Sequence, residues 1–175
     1  MELLLKQIEE GLDANLYYLS LFVSLCIPDI CGALESKDGL ANSDKYKKWI
    51  EDYLIKARPN KYGDRLSSDH IYQFRCALLH QGRTKHDKME FKRILFVEPG
   101  VKTSINSIHC CIVGSNTNDK SLLINIRQFC VDIINGTNTW LNNNRTNTNY
   151  LNNHKKLIDR YPNGISPVFG CPIIG

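Results

Sequence analysis

The sequence lacks the short motifs that identify most enzyme classes. It has no glycine-rich phosphate loop, no nucleophile elbow and no paired-carboxylate signature. The cluster His109-Cys110-Cys111 has no C-x2-C pair to complete a zinc site, and neighbouring side chains of a strand point to opposite faces. We therefore expect neither a metal nor a cofactor.

We also find no targeting or membrane signal in the sequence. The Met-Glu-Leu start has no basic n-region, and the uncharged run from Asn15 to Pro28 is shorter than the roughly 20 residues that cross a bilayer. The seven cysteines are an odd number and are best explained as free thiols in a reducing compartment. These features predict a cytoplasmic protein with no membrane partner.

Neither sign of charge dominates the chain. Lys and Arg number 22 and Asp and Glu number 18, so the net charge of +4 permits contact with phosphates but is far from that of a dedicated nucleic-acid binder. Apolar residues make up 42% of the 175 residues, which is too many for a disordered chain, and the length suits one hydrophobic core. An RNA partner is thus allowed by the charge but not required by it.

Apolar residues recur at helical spacing in four stretches. Ser and Asp residues that can cap free amides precede the second and third stretches, and Gly82 is suited to the left-handed position just past a helix. The predicted helices run over about residues 5–28, 43–59, 67–82 and 119–136.

Two β-rich runs, RILFVEP and SINSIHCCIV, are separated by a Pro-Gly turn and predict a hairpin at about residues 92–113. The chain after Thr137 is rich in Asn, and its last residues carry three of the six prolines, so we expect an irregular end. The predicted fold class is mainly α, a four- or five-helix bundle with a small inserted β-hairpin. One domain covers residues 1–143, and an Asn-rich segment with an irregular tail covers 144–175.

The third predicted helix contains the segment FRCALLHQG, in which Arg75 projects between two apolar arcs. A guanidinium that emerges from apolar surface needs a partner, either a carboxylate of the chain or a phosphate from outside. On an ideal helix of about 100° per residue, His80 lies about 140° further round. One monomer is therefore not expected to bring Arg75 and His80 together unless the helix unwinds at Gly82 or a second copy contributes across a two-fold axis.

The run R-C-A-L-L-H, Arg75 to His80, resembles the Arg-x4-6-His motif of the HEPN superfamily, small helical bundles found in many bacterial toxins and defence proteins. The long helices on either side of it are similar to the family's layout. PDICGALE, residues 28–35, together with the inserted hairpin, looks like a less studied bacterial branch.

This resemblance implies metal-independent RNA cleavage at the interface of a homodimer. His80 would act as general base or general acid, and Arg75 would bind and neutralise the scissile phosphate, giving a cyclic phosphate product. Arg83, Lys85 and His86, just past the helix, would attract the RNA backbone. An antitoxin or a nucleotidyltransferase-like protein would be the regulatory partner.

Two positions depart from the family pattern, and simpler explanations stay open. Cys76 stands where active members often have Asn, Asp or His, and Gly82 replaces the tyrosine of members controlled by a nucleotidyltransferase. Arg75 has Asp29 or Asp13 as candidate intrachain partners, His80 could be a histidine favoured by the helix dipole, and the basic residues after it could form a solvated turn. The alternative function is a catalytically inactive dimerisation or nucleotide-binding module.

Overall fold

The computed structural model describes residues 1–84, 93–99, 108–114 and 119–175, and α-helices dominate this part of the chain. A π-helical turn, Glu51–Ile55, continues the third helix, and a 3-10 turn, Gly63–Arg65, precedes the fourth. With 56% of the described residues helical, the fold is mainly helical, as predicted. The six helices of the described residues are α1 Glu2–Asp13, α2 Tyr17–Glu35, α3 Ser43–Ile50, α4 Ser68–Gln81, α5 Ile126–Asn144 and α6 Thr148–His154.

The predicted first helix is wrong, because two helices occupy its range. Asn15 adopts a left-handed backbone with φ of 59°, a conformation that Asn tolerates better than most residues, and it ends α1. The break changes which face is buried: Leu12 lies in the core, whereas Leu19, predicted on the same stripe, is exposed. Pro28 does not end α2, which continues to Glu35.

The second and third predicted helices begin where expected, but the cap of the second is Asn42 and not Ser43 or Asp44. Asn42 accepts a hydrogen bond from the backbone of Lys45 at the start of α3. Ser67 caps α4 through the backbone of His70, and Gly82 ends it with a left-handed φ of 62°.

The predicted hairpin is wrong in its pairing. Strands β1 (Arg93–Val97) and β2 (Cys111–Val113) do not pair with each other, because a third strand, β3 (Ser121–Asn125), lies between them. β3 pairs in parallel with β1 and antiparallel with β2. The run 121–125 was predicted as the start of a helix, but its central position in the sheet buries Leu122 and Ile124, and α5 begins only at Ile126.

α5 continues past Gly136, where we expected it to falter. A Cβ at this position would lie 2.7 Å from the carbonyl oxygen of Tyr53, so the glycine allows α5 to pack closely against the π-helical turn.

The Asn-rich segment forms α6 and binds the end of α2. The amide of Asn153 donates to the carbonyl oxygens of Ala33, Leu34 and Ser36 at 2.7–3.3 Å, which satisfies acceptors that the last turn of a helix leaves free. The tail is not wholly irregular, since it forms the short pairs β4–β7 and β5–β6. These strands are β4 Arg160–Tyr161, β5 Gly164–Ile165, β6 Val168–Phe169 and β7 Ile173–Ile174.

Helix α2 is the main scaffold of the core and contacts α1, α3, α5 and α6. By length and composition it is also long and apolar enough to cross a membrane, which the expectation based on residues 15–28 missed. Half of that stretch is buried inside the molecule. Its buried side includes Leu21, Leu25 and Cys31.

Candidate functional site

Arg75 and His80 lie on the last two turns of α4 and meet within one chain. Nη1 of Arg75 is 2.9 Å from Nε2 of His80, although α4 stays helical to Gln81. The expectation that one monomer would keep these side chains apart is therefore wrong. The angle between two Cβ atoms on a helix fixes only where the side chains begin. The arginine side chain is long enough for its guanidinium to reach a residue on another side of the same helix.

Asp29, on α2, is the intrachain partner of Arg75. Its Oδ2 accepts from Nε of Arg75 at 2.9 Å and lies 2.6 Å from Nη2, while Nη1 is left for His80. Of the two carboxylates that the sequence offered, Asp13 is excluded as a partner because it pairs with Arg127 at 3.0 Å. Asp29 thus fixes the plane of the guanidinium and joins α2 to α4.

Burial and the ion pair act in opposite directions at this site. Burial raises the pKa of Asp29, and the charge and hydrogen bond of Arg75 only partly offset that effect. Burial lowers the pKa of Arg75, but the charge of Asp29 and the hydrogen bonds with Cys76 and Asp29 outweigh it, so this pKa is raised. The guanidinium is therefore a permanent cation at a half-buried position, with 18% of its side chain exposed.

The contact between Arg75 and His80 defines the state of the imidazole. An arginine has only N–H donors, so Nε2 of His80 must be the acceptor and carries no proton in this arrangement. The imidazole is then neutral, with its proton on Nδ1. Because His80 is exposed, this basic nitrogen lies beside a fixed cation and within reach of a ligand. A phosphate ester held by the cation would therefore lie next to a group able to accept a proton.

The other predicted site residues differ in position. Arg83 is described, is exposed and follows α4 directly. Lys85 and His86, predicted with it as RNA-binding residues, lie outside the described residues. Cys76, the departure from the family pattern, has its Sγ 3.9 Å from Nη1 of Arg75. On α2, burial raises the pKa of the Cys26 thiol, the charge of Arg75 lowers it and that of Asp29 raises it.

Sequence reasoning missed a second cluster of charged groups. Asp132 on α5 is 1% exposed and accepts from Arg58, Lys61, Tyr62 and Gln128. A signal was present, because Asp132 stands next to the buried Ile133 and three residues after the buried Phe129, at a core-facing position of an amphipathic helix.

Comparisons with protein-family models, curated proteins and solved structures give no match to this chain. Within the described ranges, no group of three or more His, Cys, Asp and Glu side chains is arranged to hold a metal ion. The function must therefore be argued from the geometry of the two clusters.

Proposed function

We propose that the protein is a HEPN-like, metal-independent endoribonuclease, or a defence or toxin protein derived from one, with Arg75 and His80 as catalytic residues. The 2.9 Å contact between Nη1 of Arg75 and Nε2 of His80 is the observation that supports it. It combines a cation for a phosphate with a proton acceptor at its side, which are two of the groups that cleavage by the ribose 2′-hydroxyl uses.

In the proposed reaction a scissile phosphate displaces the contact between the two side chains. Arg75 binds a non-bridging oxygen through Nη1, while Asp29 keeps the guanidinium oriented. Nε2 of His80 removes the proton of the 2′-hydroxyl, whose oxygen attacks phosphorus as the bond to the 5′ oxygen breaks. A protonated His80 from a second copy gives its proton to that oxygen, so the products are a 2′,3′-cyclic phosphate and a 5′-hydroxyl.

The homodimer in this proposal is supported by the uncovered face of α2. Tyr18 and Leu19 are exposed, and Phe22, Val23 and Ile30 are only half-buried, on the helix that also carries Asp29. A groove of about 470 Å³ runs between this face and α1. A second copy that covers the face through a two-fold axis would bury apolar surface and bring two Arg75–His80 pairs near each other. An antitoxin or a nucleotidyltransferase-like regulator is a further partner under this proposal.

Cleavage of RNA in the presence of a chelator tests the function. The purified protein should cut single-stranded RNA in excess EDTA and leave cyclic phosphate ends, and His80→Ala should reduce the rate by at least about 100-fold. His154→Ala is the matched control, because His154 is also an exposed histidine in the last turn of a helix. Helical content and oligomeric state should be the same for all three proteins.

Equal cleavage by His80→Ala and wild type would overturn the proposed chemistry. Loss of cleavage in the His154→Ala control would point instead to a contaminating nuclease or to unfolding.

The alternative, a catalytically inactive dimerisation or nucleotide-binding module, is favoured by the Asp29–Arg75 pair. Two of the three nitrogens of the guanidinium already contact Oδ2 of Asp29, as in a structural ion pair. This function predicts no cleavage of RNA by the wild type and a loss of stability when Arg75 is replaced. Binding of a non-cleavable 2′-deoxy oligonucleotide separates both nucleotide-binding functions from a dimerisation module in which Arg75 only braces the core, because an Arg75-dependent affinity is expected only where Arg75 contacts a phosphate.

A further inference from the structure

Four side chains donate to the carboxylate of the Asp132 cluster, which is made of Arg58, Lys61, Tyr62, Gln128 and Asp132. Nε of Arg58 lies 2.7 Å from Oδ1, the amide of Gln128 donates to Oδ1 at 3.0 Å, and Lys61 approaches the same oxygen at 3.4 Å. The hydroxyl of Tyr62 donates to Oδ2 at 2.9 Å. The cluster ties the segment after α3 to α5 and holds two cations against one carboxylate.

His109 packs against this cluster without joining it. Its ring meets that of Tyr62 edge-on, with 5.0 Å between centroids and 74° between planes. Both ring nitrogens are buried, and neither makes a hydrogen bond of good geometry with the described residues. Unpaired buried polar atoms of this kind are rare and costly in folded proteins.

The backbone beside His109 is also in an unusual conformation. Cys110, which is fully buried, has a φ of 54°, the left-handed region that non-glycine side chains avoid. Its carbonyl oxygen accepts a hydrogen bond of 3.3 Å from Nη1 of Arg65. The segment is therefore held in a strained conformation that positions the imidazole ring on Tyr62, and such strain persists only where surrounding contacts enforce it.

Protonation of His109 is disfavoured in this position. Burial is the main cause that lowers its pKa below the ordinary 6.5, and the charge of Lys61 adds to the effect. The charge of Asp132, which is the second-largest effect, and the backbone of Asn125 oppose it, but burial outweighs them. A charged imidazole would be a third cation beside one carboxylate, with Arg58 and Lys61 the other two.

We propose that His109 is a pH-sensitive contact whose protonation displaces its ring from the Asp132 cluster and exposes the segment 108–113, including β2. This inference is independent of the ribonuclease proposal. The open segment protonates as an ordinary histidine and the closed one resists protonation, so the opening equilibrium grows as pH falls below 6.5. The expected growth is about tenfold per pH unit until the pKa of the closed state is reached.

Hydrogen exchange of the full chain, read by mass spectrometry from about pH 8 to about pH 5, tests this. After correction for the intrinsic exchange rate, protection of segment 108–113 should decrease in the wild type as the pH is lowered, while α2 stays protected. His109→Phe keeps the ring contact with Tyr62 and cannot be protonated, so its protection should not change with pH. His109→Gln serves the same purpose if the phenylalanine variant does not fold.

The matched control is His154→Phe, which removes an exposed histidine and should keep the wild-type response. A wild-type segment whose protection is constant with pH would overturn the proposal. So would a pH-dependent loss that persists in His109→Phe or His109→Gln.

Labelling of thiols by 4,4′-dithiodipyridine gives a second measurement on the unaltered protein. Cys110 and Cys130 are both fully buried, and burial raises the pKa values of their thiols to about 12 and about 11. Cys130 lies on α5 within the core, so the ratio of the two labelling rates cancels the reagent's own pH dependence. The ratio of Cys110 to Cys130 should rise by up to about tenfold per pH unit on acidification; a constant ratio would contradict the proposal.

Discussion

The aspartate–arginine pairs Asp132–Arg58 and Asp29–Arg75 differ in what surrounds the carboxylate. Asp132 accepts from four donors, one of which is Arg58, and is almost fully buried. Asp29 binds Arg75 through a single oxygen, at a half-buried position, and leaves one nitrogen of the guanidinium to an exposed histidine. The same two residue types therefore form a closed structural cluster in one place and an accessible cation in the other.

The difference lies in the number of donors and in access, and it separates a structural role from a chemical one. A buried carboxylate that accepts from four side chains is closed to a ligand by its burial, and removal of its charge leaves two cations without compensation. A half-buried pair has less to lose, because the cost of burying Asp29 outweighs the attraction of Arg75. The comparison assigns Asp132 to the fold and Arg75 to the candidate site.

Replacement of Asp132 should give the largest effect. Asp132→Asn keeps the shape of the side chain but removes the charge that balances Arg58 and Lys61, and it turns an acceptor into a donor that faces other donors. We expect the free energy of unfolding to fall by about 3–5 kcal/mol at neutral pH, as when one partner of a buried ion pair is removed. Urea unfolding followed by circular dichroism measures it, and a loss under about 1 kcal/mol would remove the distinction between the two pairs.

The matched change at the other pair should cost much less. Asp29→Asn leaves Arg75 in contact with His80 and with water, so the free energy of unfolding should fall by only about 0.5–1 kcal/mol. The same urea titration measures this loss. A cost equal to that of Asp132→Asn would show that Arg75 is held as a core residue, which would favour the inactive module.

Local signals in the sequence predicted the helix ends that depend on local chemistry. The capping by Ser67 and the left-handed Gly82 fix α4, and with it the position of Arg75 and His80, from a few neighbouring residues. Asp29 could also be proposed as a partner of Arg75, since an isolated carboxylate in an apolar run needs a cation.

The features that the sequence did not reveal depend on contacts between distant residues. The residues of β3 were predicted to start a helix, because a run of five residues rich in apolar side chains fits the period of a helix and that of a strand. Only the position of this run between β1 and β2 selects a strand. Gly136 looks like a helix end until the backbone of Tyr53 is known to lie against it. The Asp132 cluster joins residues about 70 positions apart, as from Tyr62 to Asp132, and no local pattern carries that information.

The smallest expected effect concerns how stability depends on pH. Asp29 should differ here from Asp52, an aspartate of the π-helical turn. Burial raises the pKa of Asp29 above 3.8. Hydrogen bonding to Lys48 and then to Lys56 lowers the pKa of Asp52 below 3.8. The native chain therefore binds a proton more tightly than the unfolded chain at Asp29, and less tightly at Asp52.

The two aspartates should consequently change the acid side of the stability curve in opposite directions. The stability contributed by Asp29 is present below 3.8 and is lost as pH rises through its folded-state pKa, whereas that of Asp52 is present above 3.8 and is lost as pH falls through its folded-state pKa. Between about pH 6 and about pH 3, Asp29→Asn should thus lose stability more steeply than the wild type, and Asp52→Asn less steeply. Urea unfolding at a series of pH values measures both slopes. Equal slopes for the two variants would mean that Asp29 behaves as an ordinary surface ion pair, because only its burial separates it from Asp52.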